Sequence, residues 1–370
     1  MNLNHQPEAN SQPLYFAYGS NLNLLELRQT LVAAGIPAEA FSPIKSAQLP
    51  DMMLSFNYFS YSRGGGALNI VPKRGHRVTG YLFQVSAAAW KMIDAKEGHP
   101  EVYRRTLVMA IDEAGHYVPA ITYVVTPDNE QDFVPPTEAY LKICVDGRRA
   151  LGIEKETIIA ASRNEPNGAL NSVFCYGTLM RGESRFSSIE RHRPRCVILA
   201  EANGRLLDCG DFPGLISTDG QHVFVRGEYF MFRDIEVALR DLDVIEGFDG
   251  PLAQSNLYRR TILDVGVGEG RVRTAWAYQL CDEFRPDLVP QDWRESQGRA
   301  EIAYTKLVDL HSGENPDRFF MRLTNLLMRW QPKTDLPTPA LVRAEVIEGL
   351  ANGTICLLYT SPSPRDRQKS

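Results

Sequence analysis

Two glutamates, each followed directly by a glycine, are the residues of this sequence best suited to proton transfer. Glu97 and Glu246 end stretches with helical spacing of apolar residues, and Gly98 and Gly247 stand where a glycine would stop each helix. A carboxylate in the last turn of a helix lies at the negative end of the helix dipole, which raises its pKa. We interpret both glutamates as candidate general acid/base residues, with a solvated helix-end residue as the alternative.

A loop that begins with Tyr-Gly precedes each glutamate. Both loops follow short apolar stretches, and a glycine at a strand end allows successive amides to turn toward one point. Such a group of amides suits a carboxylate or a developing oxyanion, although an ordinary turn is the alternative. The candidate binding residues are Tyr18, Gly19, Ser20, Asn21 and Leu22 in the first loop, and Tyr176, Gly177, Thr178, Leu179 and Met180 in the second.

The loops and the glutamates belong to a longer internal repeat. Four blocks recur in the same order, which chance would rarely produce. They are 14–22 and 173–180, 78–83 and 225–230, 93–98 and 242–247, and the Tyr-Arg-Arg stretches that start at Tyr103 and Tyr258. The chain is therefore predicted to carry one module twice.

Each copy is predicted to be an α+β module. Ser86 and Asp234 are suitable N-cap residues for the helices that lead to the two glutamates. The stretches 103–110 and 258–265, which follow the helices, are rich in residues that favour strands. We predict a mixed, barrel-like sheet in each module with a helix packed on it.

The repeat and the turn-prone stretches set the predicted boundaries. We predict a flexible N-terminus over 1–12, module one over 13–162, a polar linker over 163–170, module two over 171–297, and a helical segment of unassigned role over 298–355. Residues 356–370 resemble the translated transposase end sequence used to prepare DNA sequencing libraries. We therefore exclude them from fold reasoning and expect the natural C-terminus to be missing; a Ser/Pro-rich tail is the alternative.

Composition limits the classes of function. The chain has 44% apolar and 23% charged residues and no apolar run of about 18 residues, so we expect a soluble protein without a membrane partner. Its polar N-terminus lacks a secretory signal, which favours the cytoplasm. The net charge of −5 comes without a basic stripe, which argues against nucleic acid. A small-molecule substrate is therefore the expectation. Six scattered cysteines and dispersed histidines give no metal signature, so we expect no metal.

Two further motifs are interpreted as structural. The glycine-rich stretch 266–270 resembles part of a dinucleotide fingerprint, but it lies between two strand-like stretches and is predicted to be a hairpin turn. Cys175 adjoins the second loop, and its place on an apolar strand favours a small core residue over a nucleophile.

The ordered blocks resemble the γ-glutamylcyclotransferase family over nearly all of residues 13–297. Module one resembles the branch that acts on γ-glutamyl amino acids or dipeptides, on the blocks 18–22, 64–72, 97–98 and 135–141. Module two is similar to the branch that includes γ-glutamylamine cyclotransferases, on the blocks 176–182, 210–214, 246–248 and 258–260. The combination of these blocks in order is more specific than any one of them.

The resemblance implies that a γ-glutamyl group is released as 5-oxoproline when the α-amine of the substrate attacks its own γ-carbonyl. It implies that Glu97 or Glu246 transfers the protons, that the loop amides hold the substrate, and that no cofactor is required. The pocket walls that it implies are Tyr18, Tyr103 and Tyr140 in module one and Tyr258 in module two. A buried core tyrosine is the alternative for each module-one position.

Other readings stay open at this stage. One or both modules could be γ-glutamyl-binding or assembly units that keep the fold without the chemistry. A different reaction on γ-glutamyl amides, such as deprotection of a biosynthetic intermediate, is another possibility. The sequence does not identify the amine half of the substrate or the oligomeric state.

Overall fold

The structure, a computed structural model, describes residues 13–209, 211–218, 223–253, 255–268, 270–281 and 355–357. The predicted flexible N-terminus, most of the predicted helical segment and all but two residues of the predicted tail lie outside these ranges.

Module one contains five strands that close on themselves and the helices packed around them. The strands are β1 (Tyr15–Ala17), β2 (Phe41–Ser60), β3 (Gly65–Val85), β4 (Tyr103–Asp112) and β5 (Tyr117–Val125). The helices are α1 (Leu24–Ala33), α2 (Ala87–Glu97), α3 (Glu138–Ala150) and α4 (Glu156–Ser162), with 3-10 turns at Ser20–Leu22, Ala38–Ala40 and Pro127–Asn129. The strand order is β4-β2-β3-β1-β5, and pairing of β4 with β5 closes the ring.

Module two repeats this arrangement. Its elements are β6 (Ser172–Cys175), α5 (Ser187–Glu190), β7 (Cys196–Asn203), β8 (Arg205–Asp208), β9 (Pro213–Ile216), β10 (Phe224–Met231), α6 (Ile235–Ile245), β11 (Tyr258–Gly266) and β12 (Val272–Leu280). The closed order β11-β7-β10-β6-β12 matches that of module one strand for strand, and β8 and β9 form a separate hairpin. The predicted α+β fold with a barrel-like sheet in each module is thus confirmed.

Local signals place the helices as the sequence predicts. The Ser86 side chain accepts from the amide of Ala89 at 3.3 Å, and that of Asp234 accepts from Val237 at 3.1 Å. Gly98 and Gly247 follow the helices with φ values of 65° and 61°. The inward faces of α2 and α6 are buried at Trp90, Ile93, Leu239 and Leu242.

Equivalent glycines bring the first strand of each barrel against its neighbour. A Cβ atom on Gly80 of β3 would lie 2.3 Å from the carbonyl oxygen of Ala17, and one on Gly227 of β10 would lie 2.3 Å from that of Cys175. No side chain fits at such a distance. The two barrels therefore share a close backbone contact directly before the Tyr-Gly loops.

The predicted linker is held against module one. The side chain of Asn167 is buried and pairs with the backbone of Leu54 at 3.1 and 3.0 Å. Beyond it, Leu170 donates to the carbonyl of Gly75 at 2.9 Å. Module two's hydrophobic core also takes in Met109 and Tyr117 of module one. The two modules consequently pack on each other.

Two remaining features concern the predicted turn and tail. The stretch 266–270 joins the antiparallel strands β11 and β12, as the hairpin interpretation predicts. Strand β13 (Ile355–Leu357) pairs parallel to β4 at the outside of the first barrel, and it includes two residues that the sequence assigned to the tail. In the part of the chain that is described, no helix has the length and apolar character needed to cross a membrane.

Candidate active sites

In module one, the Tyr-Gly loop and the predicted acid/base residue are in direct contact. The Asn21 amide donates to Glu97 Oε1 at 2.8 Å and lies 2.8 Å from the hydroxyl of Tyr15. The ammonium of Lys96 donates to Asn21 Oδ1 from the other side. Burial lowers the pKa of Lys96, and the Glu97 carboxylate opposes this effect. Asn21 therefore fixes the side chain of Glu97 relative to the loop.

The first loop turns its backbone as a tight 3-10 turn over Ser20–Leu22. The amide of Leu22 donates to the carbonyl of Gly19 at 3.0 Å, so this amide closes the turn and does not face a ligand. For the amides of Gly19, Ser20 and Asn21, the described residues provide no acceptor. These three amides can hold an anionic group, since unsatisfied donors at a loop favour an oxyanion or a carboxylate.

The predicted wall tyrosines of module one are buried, and each hydroxyl has a backbone partner. Tyr18 donates to the carbonyl of Tyr123 at 2.6 Å, and Tyr103 donates to that of Leu68 at 2.9 Å. Tyr140 accepts from the amide of Leu68 at 3.4 Å. Burial, reinforced by the charge of Glu97, raises the pKa of all three hydroxyls, so they stay neutral. They frame the loop.

Two further blocks on which the resemblance rests also meet at this site. The amide of Gly66 donates to the carbonyl of Pro135 at 2.9 Å. Tyr140, on the first turn of α3, lies under the guanidinium of Arg63 with 4.7 Å between that group and the ring centroid. The glycine run of 64–66 and the block 135–141 thus form one wall beside the loop.

In module two, Glu246 is the C-cap residue of α6 and is 9% exposed. Burial raises the pKa of Glu246 to about 7, and the guanidinium of Arg185 moderates this rise. The position at the helix end predicts a raised pKa from the helix dipole, whereas burial is the main cause here. A carboxyl group with this pKa exists in both protonation states near neutral pH, as a general acid/base must.

The second loop follows the geometry of the first. Met180 donates its amide to the carbonyl of Gly177 at 2.9 Å and closes the turn, while the amides of Gly177, Thr178 and Leu179 find no acceptor within the described ranges. Tyr176 donates to the carbonyl of Tyr278 at 2.6 Å. The same hydroxyl accepts from the amide of Leu215 at 3.2 Å.

Tyr258 of module two is equivalent to Tyr103 by its hydrogen bond as well as by its place in the repeat. Its hydroxyl donates to the carbonyl of Pro213 at 2.6 Å, as that of Tyr103 does to Leu68. Burial raises the pKa of Tyr258. The predicted site residues therefore lie around the two loops. The amides of Leu22 and Met180 are the exceptions among the predicted binding groups, because they close the turns by hydrogen bonds to Gly19 and Gly177.

The surroundings of the two glutamates differ at two equivalent positions. Leu179 stands where module one has Asn21, and Ile245 stands where it has Lys96. Hence Glu246 receives neither the amide hydrogen bond nor the nearby ammonium. Within the described ranges, the Glu246 carboxylate has no hydrogen-bond donor.

An Asp-Arg-Tyr cluster anchors the glutamate helix in both modules, and it is not among the residues predicted from the sequence. In module one, Arg105 donates to Asp94 at 2.9 and 2.8 Å, and the Tyr123 hydroxyl donates to Asp94 at 2.6 Å. The Arg105 guanidinium stacks on Trp90, 4.4 Å from the ring centroid.

The corresponding cluster of module two has the same connections. Arg260 donates to Asp243 at 2.9 and 2.7 Å, and the Tyr278 hydroxyl donates to Asp243 at 2.8 Å. The aspartates and arginines were visible in the repeated blocks, where they recur at matching positions. The signal that predicts the two Asp-Arg pairs is the recurrence of an acidic residue in one block and a basic residue in the next.

Tyr123 in module one and Tyr278 in module two each connect the Tyr-Gly loop to the helix that carries the glutamate. Each offers its backbone carbonyl to the loop tyrosine and its side-chain hydroxyl to the helix aspartate. One strand residue thus fixes both the amide-bearing loop and the helix that carries the glutamate.

Cys175 is the last residue of β6 and directly precedes the second loop. Cys175 is buried, and burial raises the pKa of its thiol, as expected for a core residue rather than a nucleophile. Across the residues that the structure describes, no cluster of three His, Cys, Asp or Glu side chains could hold a metal ion.

Comparison with known proteins matches both modules to one family. The family model described as "Gamma-glutamyl cyclotransferase, AIG2-like" matches residues 15–142 and again residues 173–295. A protein of Vibrio cholerae named "Putative gamma-glutamylcyclotransferase" is 31% identical over 113 residues, which are 30% of this chain and 84% of that protein.

Solved structures give related names. A "Gamma-glutamyl cyclotransferase" is 24% identical with a TM-score of 0.36, covering 42% of this chain and 88% of that one. An AIG2-like protein from Mus musculus is 27% identical with a TM-score of 0.26, covering 32% of this chain and 80% of that one. Each covers about one module of the present chain.

Proposed function

This chain belongs to the gamma-glutamyl cyclotransferase, AIG2-like family, and from that premise we propose that both modules release 5-oxoproline from small γ-glutamyl compounds. The hydrogen bond of 2.8 Å between Asn21 and Glu97 carries the proposal, because it brings a loop suited to an anion and a proton carrier into one site. The two features are 76 residues apart in sequence.

The reaction needs proton transfer and orientation more than a protein nucleophile. Glu97 or Glu246 takes a proton from the α-ammonium of the substrate, and the freed amine attacks the γ-carbonyl carbon. A ring C–N bond forms and the bond to the leaving amine breaks. The α-nitrogen loses two protons overall and the leaving nitrogen gains two, so the glutamate returns to its carboxylate form.

The loop amides have a separate task in this proposal. Those of Ser20 and Asn21, or of Thr178 and Leu179, stabilise the oxygen that becomes negative in the tetrahedral intermediate, or hold the substrate α-carboxylate. The protonated tyrosines around them give the loop a rigid support. Rigid support matters because displacement of a reacting group by about 1 Å lowers the rate roughly a hundredfold.

We also propose that the modules prefer different leaving amines. Lys96 of module one lies beside Asn21 and within electrostatic range of Arg63, so this site suits a leaving group that carries a carboxylate, as in a γ-glutamyl amino acid or dipeptide. In module two the equivalent positions carry the apolar residues Leu179 and Ile245, and the absence of a lysine at position 245 suits a γ-glutamylamine whose leaving group has no carboxylate.

The test is release of 5-oxoproline by the purified full chain and by three variants. Glu97→Gln should lower turnover of a γ-glutamyl dipeptide at least about a hundredfold, and Glu246→Gln should do the same for a γ-glutamylamine. The double variant should be inactive on both. Undiminished turnover by the double variant would refute the assignment of the glutamates.

The experiment also separates catalysis from binding alone. If the modules were binding or assembly units, a γ-glutamyl compound would raise the melting temperature of the chain without forming 5-oxoproline. Release of an amine without 5-oxoproline would instead indicate a different reaction on γ-glutamyl amides.

A further inference from the structure

The anchoring cluster of module two continues across the module boundary. Arg260 donates to Asp51 of module one as well as to Asp243, and Arg74 of module one donates to Asp243. The second oxygen of Asp51 accepts from the amide of Gly75 at 2.9 Å. Two acids and two bases therefore alternate across the boundary, and each module supplies one of each.

The cluster of module one has no such extension. In the described part of the chain, every side-chain partner of Asp94 and Arg105 lies in module one. The exposed fractions of these two side chains are 24% and 20%, whereas those of Asp243 and Arg260 are 7% and 2%. Module one thus supplies charged partners to the cluster of module two, and among the described residues module two supplies none to the cluster of module one.

Burial makes the cross-boundary pairs important for Arg260. Burial alone would lower the pKa of this guanidinium, but the carboxylates of Asp51 and Asp243 outweigh it and the pKa is raised. A buried charge needs complete pairing, because a missing partner leaves it uncompensated in a medium of low dielectric constant. Asp51 supplies part of that pairing from outside the module.

We propose that Asp51 and Arg74 of module one are positioning residues for Glu246 of module two, so that the second active site is complete only when module one is docked on it. The inference rests on the proposed function of module two. Neither residue touches the reacting atoms; both act through the Asp243 and Arg260 pair.

The path from the boundary to the glutamate is short. Asp243 lies one helical turn before Glu246, and its carbonyl accepts from the amide of Phe248 at 2.8 Å, just beyond the cap. Asp243 also holds the hydroxyl of Tyr278, whose carbonyl holds Tyr176 at the loop. A shift of Asp243 would consequently move the carboxylate relative to the loop amides.

Asp51→Asn is a suitable variant because it removes the charge with little change of shape. Position 51 has a φ of 56°, a value that asparagine tolerates well, and the asparagine oxygen can still accept from Gly75. Arg74→Gln removes the second contact. The matched control is Lys73→Gln, since Lys73 makes an exposed pair with Glu236 of module two at 3.0 Å and belongs to the same boundary but not to the cluster.

Each variant is made in the full chain in two backgrounds. Glu97→Gln leaves turnover to module two, and Glu246→Gln leaves it to module one. In the first background we expect Asp51→Asn and Arg74→Gln to lower kcat about tenfold, because Glu246 is displaced from its position for proton transfer. KM should change less than about twofold, because the loop that holds the substrate keeps its position. In the second background, and for Lys73→Gln in both, kcat should change less than about twofold.

Hydrogen exchange of residues 242–248 provides a second measurement that needs no substrate. Asp51→Asn should speed exchange of this helix end, and Lys73→Gln should not. An unchanged exchange rate, an unchanged kcat in the first background, or equal loss of kcat in both backgrounds would overturn the proposal. If module two shows no turnover but faster exchange on Asp51→Asn, the proposed function of that module fails while its dependence on module one stands.

Discussion

The two glutamates occupy the same place in one frame but different surroundings. Both end a helix held by an aspartate, an arginine and a tyrosine at matching positions. Glu97 has the amide of Asn21 and the ammonium of Lys96 close by, whereas the equivalent positions of module two are Leu179 and Ile245, and the guanidinium of Arg185 acts on Glu246. The comparison shows that the residues that anchor the glutamate helix recur in both modules, whereas those beside the glutamate differ.

The largest expected effect concerns the shared frame. Gly80→Ala and Gly227→Ala should each lower the free energy of unfolding by about 3 kcal/mol, because the new Cβ would collide with a backbone carbonyl in both barrels. Urea unfolding measures the loss. Gly266→Ala is the control, since its Cβ would come nearest to the flexible side chain of Glu201, at 3.3 Å, and would stay 3.8 Å from the backbone oxygen of that residue. A lower free energy of unfolding for only one of the two variants would contradict the structural equivalence of the two barrels.

The second prediction concerns the burial of Glu246. A carboxyl group with a pKa raised from 4.5 to about 7 favours the folded state most when it is protonated, and this stability is lost as the pH rises from about 4.5 through about 7. Glu246→Gln should therefore raise the free energy of unfolding by about 3 kcal/mol at pH 8 and by less than about 1 kcal/mol at pH 5.

Denaturation at the two pH values measures this difference, with Glu190→Gln at an exposed position as the control. An equal gain at pH 5 and pH 8 would contradict the assigned burial of the Glu246 charge. A gain at pH 8 that accompanies loss of turnover would show that the site holds its proton carrier at the expense of stability.

The third prediction exchanges the tuning residues. Asn21→Leu removes a hydrogen bond to a carboxylate, so kcat/KM of module one should fall about tenfold, equivalent to about 1.5 kcal/mol. The measurement is made in the Glu246→Gln background. In module two, Leu179→Asn should move the acidic limb of its pH profile to lower pH, because a donor favours the charged carboxylate. If Asn21→Leu left kcat/KM unchanged, the contact would be structural only.

The smallest expected difference lies between the loop tyrosines. Tyr18→Phe loses one buried hydrogen bond and should lower the free energy of unfolding by about 1 kcal/mol. Tyr176→Phe should lower it by about 2 kcal/mol, because the buried amide of Leu215 also loses its acceptor. Thermal melting compares the two, and equal losses would show that the additional contact contributes nothing.

Sequence reasoning located the loops, the glutamates and the repeated sheet because these features depend on local patterns. The capping side chains of Ser86 and Asp234 lie three residues from their partners, and the apolar faces of the helices repeat with the helical period. The recurrence of the blocks in the same order also predicts that each loop belongs with the glutamate of its own module.

What escaped prediction depends on contacts between distant elements. Asp94 and Arg105 are visible in the repeated blocks, but their pairing requires knowing which strand packs on the helix. The contact of Arg260 with Asp51 joins residues 209 positions apart, and no periodicity links them. The cause of the raised pKa of Glu246 was also inaccessible, since burial is decided by the packing of the whole module.

The double role of Tyr123 and Tyr278 has a consequence for how such modules diverge. One residue ties the loop to the helix in each copy, and this tie is present in both modules although the residues at the positions of Asn21 and Lys96 differ between them. A duplicated module could accordingly explore new leaving groups without first rebuilding its active site. The same separation offers a practical route to altered specificity, in which residues 21 and 96 are varied and the tyrosine, aspartate and arginine are kept.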